Sequence, residues 1–204
     1  MEVSSGRRLL TASDYVTHLG DHGNFVKKMD YHLENLNSPV FIADGARWIW
    51  GWVDRNHPES IQIVDYYRSK EHLCEFAKPY FRDEKERGRW IDALAETMLG
   101  KGVGPVIEEI ENLPGHKGTD AKRKRPVNYY RRNRDRMQYH RYIEKGLLIG
   151  SGAIESAHRD VLQQRPELSG QRWTMEGFQQ MAQLRAVHKS GQWDRIRTLC
   201  QKAA

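Results

Sequence analysis

The stretch FIADGARWIWGWVDRNHPESIQIVDYY, Phe41 to Tyr67, sets one helical run between two short apolar ones. "SPVFIAD" reads as a buried strand ending at Asp44. Trp48, Ile49, Trp52 and Val53 then recur at helical spacing until Pro58, and "SIQIVDYY" reads as a second buried strand ending at Asp65. A strand, a short helix and another strand make a βαβ unit, which chain handedness almost forces into a parallel pair. Open parallel sheets hold their ligands beyond the carboxyl ends of the strands, where Asp44 and Asp65 stand. Each aspartate also has an ordinary structural reading: Asp-Gly is a turn dipeptide, and Asp44 can cap the helix that starts near Ala46.

Outward from this unit the strand signal disappears. Thr11 to Leu36 reads as helix, bent near Gly20 and Gly23. "SKEHLCEFAKPYF", "DEKERGRWIDALAETMLG" and "VGPVIEEIENLP" read as three helices, and "GHKGTDAKRKRP" as a polar linker. The basic run that follows forms the next helix, and Ser151 opens another. Met175, Phe178, Met181, Leu184 and Val187 mark one apolar face of a later helix, and "WDRIRTLCQ" closes the chain as a short one.

The 204 residues carry a net charge of +6, so a polyanion is the expected partner. The charge is concentrated. From Lys122 to Lys145 ten basic residues face two acidic ones, with Tyr129, Tyr130, Tyr139 and Tyr142 interleaved. A solvated helix face would explain the charges alone. The tyrosines favour nucleic acid, since rings between guanidinium groups offer stacking surfaces beside phosphate contacts.

A further acid comes from LLIGSGAIESAHRD, Leu147 to Asp160. Ser151 or Gly152 is an acceptable N-cap, and Glu155 in the first turn, four residues before Arg159, suits the helix dipole and an i, i+4 pair. Alone, Glu155 reads as structural. Two aspartates at strand ends, a glutamate opening a later helix and a cationic surface together suggest a carboxylate metal site that works on phosphodiesters.

Other chemistries fit less well. His18 and His22 are four apart but lack a third zinc ligand. "GSG" is neither a nucleophile elbow nor a phosphate loop, which argues against nucleophilic hydrolase chemistry. Cys74 and Cys200 suggest no disulfide framework and no cysteine-type zinc site. No apolar run reaches spanning length, so no membrane partner is expected. The amino terminus shows no secretory core, so a cytoplasmic location is expected.

"FIADGARWIWGWV", "IQIVDYYRSKEHL", "IGSGAIESAHRD", "RPELSGQRWTMEGFQQMAQLRA" and "SGQWD" resemble the C-terminal part of ISKra-group insertion-sequence transposases, which are DDE enzymes. The order and spacing of these blocks agree from about Tyr15 to Asp194. The resemblance implies an α/β fold that is predominantly α: an RNase H-like core with a short parallel sheet, interrupted by a large all-helical insertion. Residues 11–67 would be the first part of the core, 68–146 the insertion with its basic segment, and 147–204 the helices completing the core.

The resemblance also implies DNA transposition by metal-dependent strand cleavage and strand transfer. Asp44 matches the family's second acid and Glu155 its third, both as ligands of Mg2+ or Mn2+. The family's first acid lies on an upstream strand that nothing before Thr11 can supply. The expectation is therefore a truncated transposase, active only when the metal site is completed by an amino-terminal chain, with assembly on DNA as a possible homo-oligomer. The alternative is a non-catalytic DNA-binding remnant. Similar transposases carry Asp-x-x-His after the second core strand; here the pattern is degenerate, with Asp65 retained and Arg68 in place of the histidine. The expected DNA contacts are Lys122, Arg123, Lys124, Arg125, Arg131, Arg132, Arg134, Arg136 and Arg172.

Overall fold

The computed structural model describes residues 14–114, 120–152, 156, 158–163 and 170–203. The chain divides into two compact units, one of residues 36–151 and one of residues 1–35 with 152–204. The elements are α1 (His22–Leu33), β1 (Val40–Ala43), α2 (Arg47–Asn56), β2 (Ile61–Val64), α3 (Tyr66–Tyr80), α4 (Glu84–Lys101), α5 (Gly104–Asn112), α6 (Asp120–Asn133), α7 (Tyr139–Glu144), α8 (Met175–Lys189) and α9 (Trp193–Ala203). Most of the described chain is helical, and the sheet is a single pair of short strands.

In the 36–151 unit β1 and β2 run parallel, with Val40 opposite Ile61 and Ala43 opposite Val64. The crossover helix α2 buries Trp50, Trp52 and Val53. Trp48 stays at the surface. Ile63 and Val64 of β2 are fully buried, whereas β1 begins exposed at Val40. The N–H groups of Ile61 and Asp65 donate to the carbonyls of Pro39 (3.3 Å) and Ala43 (2.8 Å), so Gln62 and Val64 face the opposite edge of β2. On that edge the Tyr142 hydroxyl donates to the Gln62 carbonyl and the Tyr139 hydroxyl to the Val64 carbonyl, both at 3.0 Å.

The three helices expected after β2 form as α3, α4 and α5. Leu73, Phe76, Met98, Val106 and Ile110 from them pack with Tyr130 and Met137 into the core of this unit. The basic segment departs from its expected form at both ends. The helix starts at Asp120 and runs through Pro126, which was expected to close a linker. Proline removes a backbone donor there, but Pro126 and Val127 are buried, and that packing holds the turn in place. The helix then stops at Asn133, whose side chain turns inward and donates to the Tyr129 carbonyl at 2.9 Å. A 3-10 turn, Arg134–Arg136, separates it from α7. The basic run is thus two helices with a break.

In the other unit, helix begins only at His22, capped by Asp21, which accepts from the Asn24 N–H at 3.1 Å. Gly20, at φ +125°, lies where the chain is not helical, so His18 and His22 do not share a helix face. Helix α8 is capped by Thr174, which accepts from the Gly177 N–H at 3.0 Å. Its buried residues are Ala182 and Ala186, and Met175 from the expected apolar stripe is 71 % exposed. Small side chains set the close-packed face here, a contact that residue size alone does not announce. Of the helix expected from Ser151, only Gly152, Ser156, His158 and a π-helical turn at Arg159–Gln163 are described. Cys74 and Cys200 are free thiols. Among the described residues, no helix is long and apolar enough to cross a membrane.

Candidate nucleic-acid interface

Asp44 follows the last residue of β1 and is exposed. Its Oδ1 accepts from the Ala46 N–H at 3.0 Å, a tight turn that fixes the carboxylate at the strand end. Among the described residues it forms no ion pair. The glycine after it is required by space: a Cβ on Gly45 would lie 2.2 Å from Cε2 of Tyr129. Helix α6 therefore rests directly on this turn, and Arg132 Nη2 donates to the Gly45 carbonyl at 3.4 Å.

Asp65 occupies the equivalent place after β2 and is 4 % exposed. Its Oδ1 accepts from the Arg68 N–H at 2.9 Å, capping α3. Its Oδ2 accepts from both the N–H and the hydroxyl of Ser151. The Tyr66 N–H donates to the Ile149 carbonyl at 2.8 Å beside it. Asp65 thus secures the 149–151 loop across the end of the sheet, and Ser151 spends its hydroxyl on that contact. Arg68, in the histidine position of the degenerate motif, is exposed and pairs with Glu71. The Glu71 hydrogen bond and charge, then Asp44 and Asp65, raise its pKa.

Between the turn at Asp44 and the faces of α3 and α6 lies a cleft of about 450 Å3, lined by Asp44, Arg68, His72, Arg125, Tyr129 and Arg132. Arg125 and Arg132 are seven residues apart, two turns of α6, and so share one stripe of the helix with Asn128 between them. The His72 ring lies on Tyr129 with centroids 3.9 Å apart. Burial, opposed by Glu75 and aided by Arg125 and Arg68, lowers the His72 pKa and keeps the ring neutral at pH 7. The Tyr129 hydroxyl is buried and has no hydrogen-bond partner within range among the described residues, although Ser69 lies close enough to ease its ionisation. Burial, reinforced by Asp44 and Asp65, pushes its pKa up to about 12. A buried hydroxyl without a partner is a costly arrangement that a ligand can relieve.

The remaining basic residues divide by what they touch. Arg123 donates to the carbonyls of Glu111 (3.0 Å) and Leu113 (2.8 Å), closing the end of α5. Arg131 grips both Glu111 oxygens at 2.8 and 3.0 Å. Arg136 grips Asp54 at 2.6 and 2.8 Å, donates to Gln62 at 2.6 Å and lies 5.0 Å from the centre of a Trp50 ring. These three guanidinium groups are engaged within the fold. Lys122, Lys124 and Arg134 are exposed in the same unit, and Arg172 is exposed in the other. The stacking role expected of the tyrosines is not met by three of them: Tyr129, Tyr130 and Tyr139 are buried. Tyr130 donates to the Ser69 carbonyl at 2.7 Å, and Tyr139 bonds both Val64 and the Ser69 hydroxyl. Inward placement follows from their phenol bodies, which bury apolar area while the hydroxyls meet backbone acceptors.

The described residues do not by themselves make a metal centre: no three His, Cys, Asp or Glu among them group closely enough. Asp44 offers a carboxylate, and both Asp65 oxygens are taken. Glu155, the third acid expected, lies outside the described residues. His72 is a cleft residue that sequence reasoning did not single out, and Tyr129 was singled out for stacking on bases, not for a buried place in the cleft wall. The sequence matches no protein-family model, no curated protein and no solved structure.

Proposed function

We propose that this chain acts on DNA as a transposase of the DDE kind, with its parallel strand pair belonging to an RNase H-like core. The observation that carries the reading is an exposed carboxylate, Asp44, at the carboxyl end of a parallel strand, facing a cleft lined by Arg68, Arg125 and Arg132. Three guanidinium groups suit a phosphodiester backbone, because arginine meets phosphate oxygens in a planar, two-pronged contact. Asp44, and Glu155 with it, would hold Mg2+ or Mn2+ as the family does.

The test is nicking of supercoiled plasmid in Mg2+ or Mn2+ by the full chain together with an amino-terminal chain that supplies the family's first acid. Metal-dependent nicking that disappears in Asp44→Asn and in Glu155→Gln, with DNA binding retained, is the expected result. Equal nicking by Asp44→Asn would sink the assignment. A second reading, DNA binding without strand cleavage, is favoured by the full engagement of Asp65 in hydrogen bonds. It predicts salt-sensitive binding and no nicking with either metal.

A further inference from the structure

The arginine-lined cleft does not end at Arg125. A second, smaller cavity of about 260 Å3 opens beside it and shares two of its walls, His72 and Arg125. The two differ in character. The first is dominated by guanidinium groups and is lined by Tyr129, whose buried hydroxyl has no hydrogen-bond partner among the described residues. The second has apolar walls from Phe76, Pro79 and Pro126, with the carboxylate of Glu75 and the ammonium group of Lys122 also in its lining. A charged compartment for an anion next to a slot with apolar walls, one acceptor and one donor is the shape of one nucleotide.

We propose that the paired cavities bind a single unpaired nucleotide unit. Its phosphate sits between Arg125 and Arg132 and accepts a hydrogen bond from Tyr129, while its base enters the Phe76–Pro126 slot. This rests on the reading of the chain as a DNA-binding protein. Arg125 serves as the hinge of the arrangement, since it lines both compartments. Its guanidinium has no acidic partner among the described residues, in contrast to Arg131 and Arg136, which are held by Glu111 and Asp54. The phosphate supplies the acceptor that Tyr129 lacks.

The slot also has a chemical preference. Glu75 only accepts hydrogen bonds when ionised, and the exocyclic amino groups of adenine and cytosine offer it two N–H donors beside a ring nitrogen to which Lys122 can donate, whereas thymine offers one N–H between two carbonyls. The site therefore favours adenine or cytosine over thymine. A base within a duplex is stacked and paired, so it cannot enter; single-stranded or unpaired DNA is the preferred form.

Binding of fluorescein-labelled oligo-dA, oligo-dC, oligo-dT and a duplex of mixed sequence to the full chain, measured by fluorescence anisotropy across a salt series, tests this. The expected result is tighter binding of oligo-dA or oligo-dC than of oligo-dT or duplex, by about fivefold. Arg125→Gln and Arg132→Gln each weaken binding by about tenfold and together flatten the salt slope by about two. Tyr129→Phe keeps the ring against Gly45 and weakens binding by about threefold. Glu75→Ala, at an exposed helix position, removes the base preference without loss of phosphate affinity. Arg131→Gln is the control and changes affinity by less than about twofold.

Equal binding of all strands and a silent Glu75→Ala would overturn the nucleotide site while leaving DNA binding in place. A silent Arg125→Gln/Arg132→Gln pair would overturn it as well. If no DNA binds but dAMP or dCMP shifts the NMR resonances of the chain in a way that Arg125→Gln abolishes, the nucleotide site stands and the DNA reading fails. If inorganic phosphate reproduces every effect of the nucleotides and Glu75→Ala is silent, the site takes phosphate alone and the proposal fails.

Discussion

Two strands lie side by side in this protein, each followed at once by an aspartate, and the two carboxylates have opposite fates. Asp44 stays exposed with a single backbone donor, beside three arginines. Asp65 is buried and fully engaged by the Arg68 N–H and by Ser151. A strand-end carboxylate becomes available to a ligand only where the fold leaves its oxygens without donors. Position in a parallel sheet supplies the place; the hydrogen bonds decide whether the group is structural or reactive.

The sharpest way to break this comparison is to remove each carboxylate in turn. Asp65→Ala leaves the Arg68 N–H and both Ser151 donors unmet and should cost about 3 kcal/mol by urea unfolding. Asp44→Asn should change stability by less than about 0.5 kcal/mol in the same measurement. Comparable losses at the two positions would mean that Asp44 is structural after all.

Next in size is Gly45→Ala. Its methyl group would press into the Tyr129 ring, and thermal unfolding should show a loss of about 2 kcal/mol. The same change at Gly152, where a Cβ meets nothing within 4 Å, should have a far smaller effect. Tyr139→Phe should follow at about 1.5 kcal/mol, because the Val64 carbonyl loses its donor.

The smallest effect concerns pH. The folded state lowers the His72 pKa, chiefly by burial, so the unfolded chain binds the proton more readily. The stability tied to neutral His72 is fully present above its unfolded pKa of 6.5 and declines as pH falls from there towards the folded value. His72→Gln should flatten the melting temperature between neutral and mildly acidic pH. A profile unchanged by that substitution would show that His72 ionises as freely in the fold as out of it.

How much of this could be read from the chain varies from element to element. The strand pair was legible because two apolar runs flank a helix with Trp48, Ile49, Trp52 and Val53 at helical spacing, an order that chain handedness almost forces into a parallel crossover. The role of Asp65 was not, since Ser151, which satisfies it, lies 86 residues away. The tyrosines of the basic segment misled for a related reason. A run that mixes arginine and tyrosine looks like one surface, yet around a helix those residues separate: Tyr130 turns to the core and Tyr129 is buried in the cleft wall, while Arg125 and Arg132 reach the cleft. Arg123, Arg131 and Arg136 could not be told from free cations, because their acceptors come from α5, α2 and β2. In α8, the buried stripe is carried by alanines, which a search for large apolar residues passes over.

The phenol groups on the outer edge of β2 have a consequence for assembly. Carbonyls of alternate residues along that edge, Gln62 and Val64, are the acceptors an incoming strand would need, and Tyr142 and Tyr139 already fill them. Unfilled strand edges are where sheets extend, by design or by aggregation. Growth is thus blocked on one side, and a further strand, from this chain or another, can join only alongside β1. Phenylalanine at both positions would leave those two acceptors open to an incoming strand.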